Sequence, residues 1–207
     1  MGHVVFINYR GDDSHGYGAL LYRDLTGRFG EDLVFLDAES IPAGADFVDE
    51  LLARVRSARV LLAVIGRRWL TAADSTGRRR IDDPADWIRR ELVEAFLASV
   101  RVIPILTDNA ELPREADLPG DITALSRCQF RHLRRREPTS DLARIAADLS
   151  ACDPVLAAVS PRYDTPTTVQ NITAGGQNST AQGVIGGAIH NYPATDAHDS
   201  GHAGEPR

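Results

Sequence analysis

Val60-Leu61-Leu62-Ala63-Val64-Ile65 is an unbroken apolar run. A strand with one wet face alternates apolar and polar residues, so a continuous run of this length reads as a strand buried on both faces of a parallel sheet. Val4-Val5-Phe6-Ile7 and Leu33-Val34-Phe35-Leu36 are runs of the same kind. Between them the period changes. Leu21, Leu25 and Phe29 recur at spacing four, and Val48, Leu51, Leu52 and Val55 form the i, i+3, i+4, i+7 stripe of a helix facing a core. Asp83-Pro84, a capping residue followed by proline, predicts the start of another helix, whose apolar stripe is Ile88, Leu92, Ala95 and Phe96. Val102-Ile103-Pro104-Ile105-Leu106 reads as a fourth strand in which Pro104, lacking a donor, marks an edge or an end. Cys128-Gln129-Phe130 reads as a fifth strand, and Leu142, Ile145, Ala146 and Leu149 as a last helix. This alternation predicts an α/β fold: a doubly wound, flavodoxin-like parallel sheet of about five strands with helices on both faces and a crevice beyond the strands' carboxyl ends.

Composition sets further limits. With 207 residues, 43% of them hydrophobic, the chain has enough apolar side chains for one ordinary core and residues to spare for a tail. A net charge of −6 disfavours a polyanion partner, although Arg78-Arg79-Arg80 and Arg134-Arg135-Arg136 are local basic runs. No apolar stretch reaches about 18 residues and no basic segment precedes the first run, so a cytoplasmic chain without membrane span or signal peptide is expected. Cys128 and Cys152 fit no metal or redox spacing and read as reduced thiols. His198 and His202 are four apart but lie in a stretch too polar to fold, so no metal site is expected.

After Cys152 the pattern breaks. Residues 1–152 read as the globular domain, 153–168 as a Pro-punctuated linker in which helices are unexpected, 169–192 as an uncharged Gly/Asn/Gln-rich segment, and 193–207 as a disordered tail. The 169–192 segment carries spaced Val and Ile among Asn and Gln without internal proline, a composition that can stack in register as cross-β; a flexible glycine-rich end is the alternative.

Four short segments narrow the function beyond what a doubly wound sheet can. Val5-Phe6-Ile7-Asn8-Tyr9-Arg10-Gly11-Asp12-Asp13 resembles the opening box of TIR (Toll/interleukin-1 receptor) domains, and Phe35-Leu36-Asp37-Ala38-Glu39-Ser40-Ile41-Pro42-Ala43-Gly44 resembles their BB loop. The stretch 58–65 followed by Arg67-Arg68-Trp69-Leu70 resembles the third strand and its loop. Asp86-Trp87-Ile88-Arg89-Arg90-Glu91-Leu92 resembles the Trp-x-x-x-Glu segment of NAD-cleaving TIR domains. Asn8 departs from the pattern, since many relatives have Ser there. Gln170 to Gly176 and Gln182 to Asn191 resemble bacterial amyloid signalling motifs of effectors paired with NLR-type sensors.

The resemblance implies a bacterial TIR effector whose substrate is NAD, with no separate cofactor. It puts the catalytic role on Glu91 and places Tyr9, Arg10, Asp37, Gly44, Trp69 and Trp87 in the pocket or its loop, with Arg10 a bidentate partner for pyrophosphate. The chemistry is coherent. Trp87 and Glu91, one helical turn apart, share a face beside the apolar stripe, where a carboxylate is partly desolvated. Nicotinamide leaves as a neutral base from a pyridinium and the ribose becomes oxocarbenium-like, so a fixed negative charge is what helps. At 4 Å and an effective dielectric of 20 it contributes roughly 4 kcal/mol, on the order of a thousandfold in rate.

Competing chemistries lack their residues. The chain has no Gly-x-x-x-x-Gly-Lys-Ser/Thr, Gly16-Tyr17-Gly18 lacks the third glycine of a dinucleotide turn, and the complete absence of lysine excludes a response-regulator site. Three readings remain: an NAD hydrolase or cyclase switched on by TIR-TIR and tail-tail self-assembly, a non-enzymatic TIR adaptor that signals by homotypic contacts, and a filament acting on nucleic acid through the arginine runs.

Overall fold

The apolar runs become strands. In a computed structural model, described over residues 4–36, 47–159, 182–185 and 188–191, β1 is Val5–Tyr9, β2 Val34–Leu36, β3 Val60–Ile65, β4 Arg101–Thr107 and β5 Arg131–Leu133. They form one sheet in the order β2-β1-β3-β4-β5, every neighbouring pair parallel. The helices are α1 (Gly11–Phe29), α2 (Phe47–Ser57), α3 (Trp87–Leu97), α4 (Pro138–Cys152) and α5 (Pro154–Val159). Strand order reverses between β1 and β3, which puts the topological switch point at the carboxyl ends of those two strands.

The period of two sorts each strand between two cores. Val5 and Ile7 of β1, with Val60, Leu62 and Val64 of β3, pack under α1, α4 and α5 through Leu21, Leu25, Phe29, Leu142, Ile145, Leu149 and Leu156. Phe6, with Leu61, Ala63 and Ile65, faces the opposite way, onto Leu51 and Val55 of α2 and Ile88, Leu92 and Ala95 of α3. Phe6 stacks on Phe35 of β2 at 5.3 Å between ring centroids on that second face.

Four sequence expectations are corrected. The helix after Asp83-Pro84 starts at Trp87: Asp86 is its N-cap and accepts from the Arg89 amide at 3.3 Å, while Asp83 closes a local turn onto the Ala85 amide. The fifth strand is Arg131–Leu133, displaced three residues beyond Cys128-Gln129-Phe130. Pro104 sits inside an interior strand, but β5 pairs only Ile105–Thr107, so Pro104 lies in the half of β4 that β3 alone pairs, where a missing donor is tolerated. Finally, Pro154–Val159 is helical. Pro154 takes the first-turn position that proline suits, Asp153 accepts from the Val155 amide at 2.8 Å, and Leu156 is fully buried against the first core.

Residues 163–207 form a separate unit. Within it Gln182–Ile185 (β6) and Ala188–Asn191 (β7) pair as an antiparallel hairpin, with Val184 opposite Ile189 and Gln182 opposite Asn191. The rest of the 169–192 segment and the 193–207 tail lie outside the described residues, as does the Val48 side chain. No described helix is long and apolar enough to cross a membrane.

Because Leu156 belongs to the core, Leu156→Ala should lower the unfolding free energy by about 2–5 kcal/mol. Urea denaturation measures it, and a change under about 0.5 kcal/mol would make α5 a passenger of the linker.

Candidate active site

Alternation continues past the apolar part of β1 and distributes the opening box over both faces of the sheet. Asn8, in step with Phe6, points at α3; Tyr9 points the other way; Arg10, just beyond the strand, points at α3 again. The contacts follow this division. Asn8 Nδ2 donates to Glu91 Oε2 at 2.6 Å and to the Ile88 carbonyl at 3.4 Å. Arg10 donates from its two terminal nitrogens to the two oxygens of Asp86 at 2.9 and 3.0 Å. Tyr9, half-buried, packs with the first core, its ring lying over Gly18 of α1, where a Cβ would come within 2.9 Å of it. Gly66, at the end of β3, has the same function toward Asp13: an added Cβ would stand 2.2 Å from its carboxylate. Asp13 also accepts from the Arg68 amide at 2.9 Å, pinning the loop after β3 to the start of α1.

On α3, Ile88, Glu91, Leu92 and Ala95 are all buried, and Glu91 has no exposed surface at all. The expectation that Glu91 sits at the border of the stripe is therefore corrected: positions i, i+3, i+4 and i+7 are one face, and Glu91 is the polar member of that face. An ionised group in such surroundings requires hydrogen-bond donors, and Asn8 supplies one. Trp87 is half-buried against the second core, with the Arg90 guanidinium 4.6 Å from its ring centroid.

Two further assignments change. Arg10 is 2% exposed and its guanidinium is occupied by Asp86 in the planar two-bond geometry that suits it, so it anchors β1 to the start of α3 instead of offering itself to a pyrophosphate. Trp69 is 1% exposed and packs within the second core. Asp37 and Gly44 lie outside the described residues. The structure thus brings Glu91 to Asn8 of β1, leaves Trp87 one turn earlier on the same helix, and takes Tyr9 to the other face.

Asn8 and Asp86 are the residues that motif reading passed over. Asp86 had a visible signal, an Asp directly before the first helical residue. Arg80 also reaches it at 3.6 Å. A third group gathers where β4 ends: the Tyr17 hydroxyl donates to Asp108, which also accepts from the Arg135 amide at 3.1 Å. Asp108 holds a left-handed φ of 46° to do so. Burial and then this bond raise Tyr17 above an ordinary phenol, while the hydroxyl and the Arg135 amide lower Asp108. A cavity of about 430 Å³ opens beside it between the loops after β3 and β4, lined in part by Arg67, Leu70, Asn109 and Leu112. Its lining includes neither Glu91 nor Asn8. No cluster of metal ligands occurs among the described residues.

Because the Arg10–Asp86 pair is buried, removing one partner leaves an uncompensated charge. Asp86→Ala should cost about 3–5 kcal/mol by urea denaturation, and pairing Arg10→Met with Asp86→Leu should recover much of it; a double variant no more stable than Asp86→Ala would place the cost in the helix cap.

Comparison with known proteins agrees with this architecture. The TIR domain family model matches residues 5–145. NAD(+) hydrolase sarm1 of Drosophila melanogaster is 30% identical over 123 residues, 59% of this chain, which spans only 8% of that relative's length. The TIR domains in the structure of the activated Roq1 resistosome directly recognizing the pathogen effector XopQ superpose with a TM-score of 0.55 at 14% identity, covering 72% of this chain and 99% of that one. With a five-stranded parallel sheet and a family match across both the opening box and the helix that carries Glu91, this chain belongs to the TIR domain family.

Proposed function

We propose that this protein is an NAD-cleaving TIR effector that acts when assembled, breaking the N-glycosidic bond to release nicotinamide and leave ADP-ribose or its cyclic form. The observation that carries the reading is Glu91: a carboxylate on the core-facing row of α3, one turn after Trp87, held at 2.6 Å by Asn8 at the switch point of the sheet. The likeness to a relative named as an NAD(+) hydrolase supports the same chemistry.

In this reading the C1′–N bond breaks with its electron pair leaving on nicotinamide, the Glu91 carboxylate stabilises the cationic ribose and holds its hydroxyls, and C1′ is then captured by water, which loses a proton, or by the adenine ring of the same molecule to give the cyclic product. Trp87 flanks the sugar, and Asp37 and Gly44 belong to the loop that closes over it. The complete burial of Glu91 in one chain supports activation by assembly, since the carboxylate has to be uncovered before a substrate reaches it. Residues 169–192 supply that assembly as an amyloid-type signalling motif, templated by an NLR-type sensor bearing a matching motif, in a bacterial immune or cell-death response. Tethering by such a tail raises local concentration into the millimolar range, enough for weak TIR-TIR contacts. The assembled Roq1 resistosome neighbour supports the same logic.

A second reading has one observation in its favour. Glu91, fully enclosed and bonded to Asn8, is also what a purely structural polar pair looks like, and a non-enzymatic TIR adaptor needs no more.

NAD consumption by the full chain, clustered on a multivalent support, separates them. The parent should turn NAD over, Glu91→Ala should lose on the order of a thousandfold, and deletion of 163–207 should abolish activity free in solution but not on the support. A clustered parent without turnover establishes the adaptor; equal turnover in Glu91→Ala removes Glu91 from the mechanism.

A further inference from the structure

We propose that Asn8 is the positioning residue of this site: its side-chain amide selects which oxygen of Glu91 is held inside and which is presented to the ribose. The inference rests on the reading of Glu91 as the group that meets substrate, and adds to it the part played by β1.

Asn8 is fully buried, and its Nδ2 spends its hydrogen bonds on α3 alone, on Glu91 Oε2 at 2.6 Å and on the Ile88 carbonyl at 3.4 Å. Two donors aimed three residues apart along one helix fix the amide plane against that helix. A carboxylate can spin about its last torsion, because the terminal sp³–sp² rotation is broad; a short bond to one oxygen from a rigid donor removes that freedom. The donor is rigid because Asn8 lies in β1, an interior strand, paired to Ala63 of β3, with Arg10 two residues on locked to Asp86, the N-cap of the same helix. Asn8 and Arg10 therefore grip α3 at Glu91 and at its N-cap, from one strand face.

The amide orientation follows from the chemistry. With Nδ2 toward Glu91 the amide donates and the Glu91 oxygen accepts. A serine at this position keeps a donor on a shorter arm. An alanine keeps the backbone and deletes the donor. An aspartate keeps the shape and is a donor only when protonated.

The test is steady-state NAD turnover by the clustered full chain carrying Asn8→Ala, Asn8→Ser or Asn8→Asp, with circular dichroism and melting temperature as fold controls. Asn8→Ala should lower kcat about 10- to 100-fold with KM within about twofold, and Asn8→Ser should recover part of that loss. Asn8→Asp should be active at acid pH and lose kcat as pH rises and its proton leaves, an alkaline limb that the parent lacks. Folded Asn8→Ala with parental kcat, or a change confined to KM or melting temperature, would overturn the proposal. If Asn8→Asp does not fold, the alanine and serine variants decide.

A readout that needs no turnover separates this inference from the function it rests on. In the parent, the Asn8 side-chain amide should show a downfield, slowly exchanging proton by NMR that Glu91→Ala shifts and exposes. A parent inactive on the support overturns the enzyme reading, whereas an Asn8 amide indifferent to Glu91→Ala overturns this one.

Discussion

A carboxylate with no exposed surface, set in the apolar row of a helix, is tolerable only where donors meet it. The bond from Asn8 to Glu91 is such a contact, and much of the architecture serves it. β1 lies between β2 and β3, its residue parity turns positions 8 and 10 toward α3, and Arg10 holds the N-cap Asp86 of the helix whose Glu91 meets Asn8. Asp86 is thus both the cap of α3 and the partner that ties it to Arg10.

What could be read in advance was whatever hydrophobic periodicity controls. β3 spans the very residues of its apolar run, and the described stripe residues of α1, α2, α3 and α4 are buried, except Phe96 of α3, which is half-buried. The misses share a cause, which is that tertiary partners outweighed local cues. Asp83-Pro84 is as good a helix start as Asp86 until Arg10 arrives from 76 residues away to hold Asp86. β5 is three residues long and exists because β4 has an edge to offer, which no local pattern reveals. Three prolines after Cys152 suggested a linker, yet Pro154 opens a helix once Leu156 has a core to enter.

The site divides in the same way. Glu91 was legible through its spacing from Trp87, but its depth was not, because a charged residue beside an apolar stripe is by default assigned to the border. Arg10 and Tyr9 were placed together on the strength of adjacency, and strand parity separates them: one faces α3, the other Gly18 of α1. Asn8 was noted only as a departure from a serine, and its reach across to α3 makes that departure meaningful. A buried Glu91 is also what the proposed dependence on assembly asks for, a carboxylate enclosed in the single chain.

The most direct measurement is the structure of the assembled full chain with a non-cleavable NAD analogue. The account predicts the nicotinamide ribose against Glu91, its hydroxyls within about 3 Å of one carboxylate oxygen while Asn8 keeps the other. An analogue seated in the cavity between the β3 and β4 loops, with Glu91 still enclosed, would contradict it.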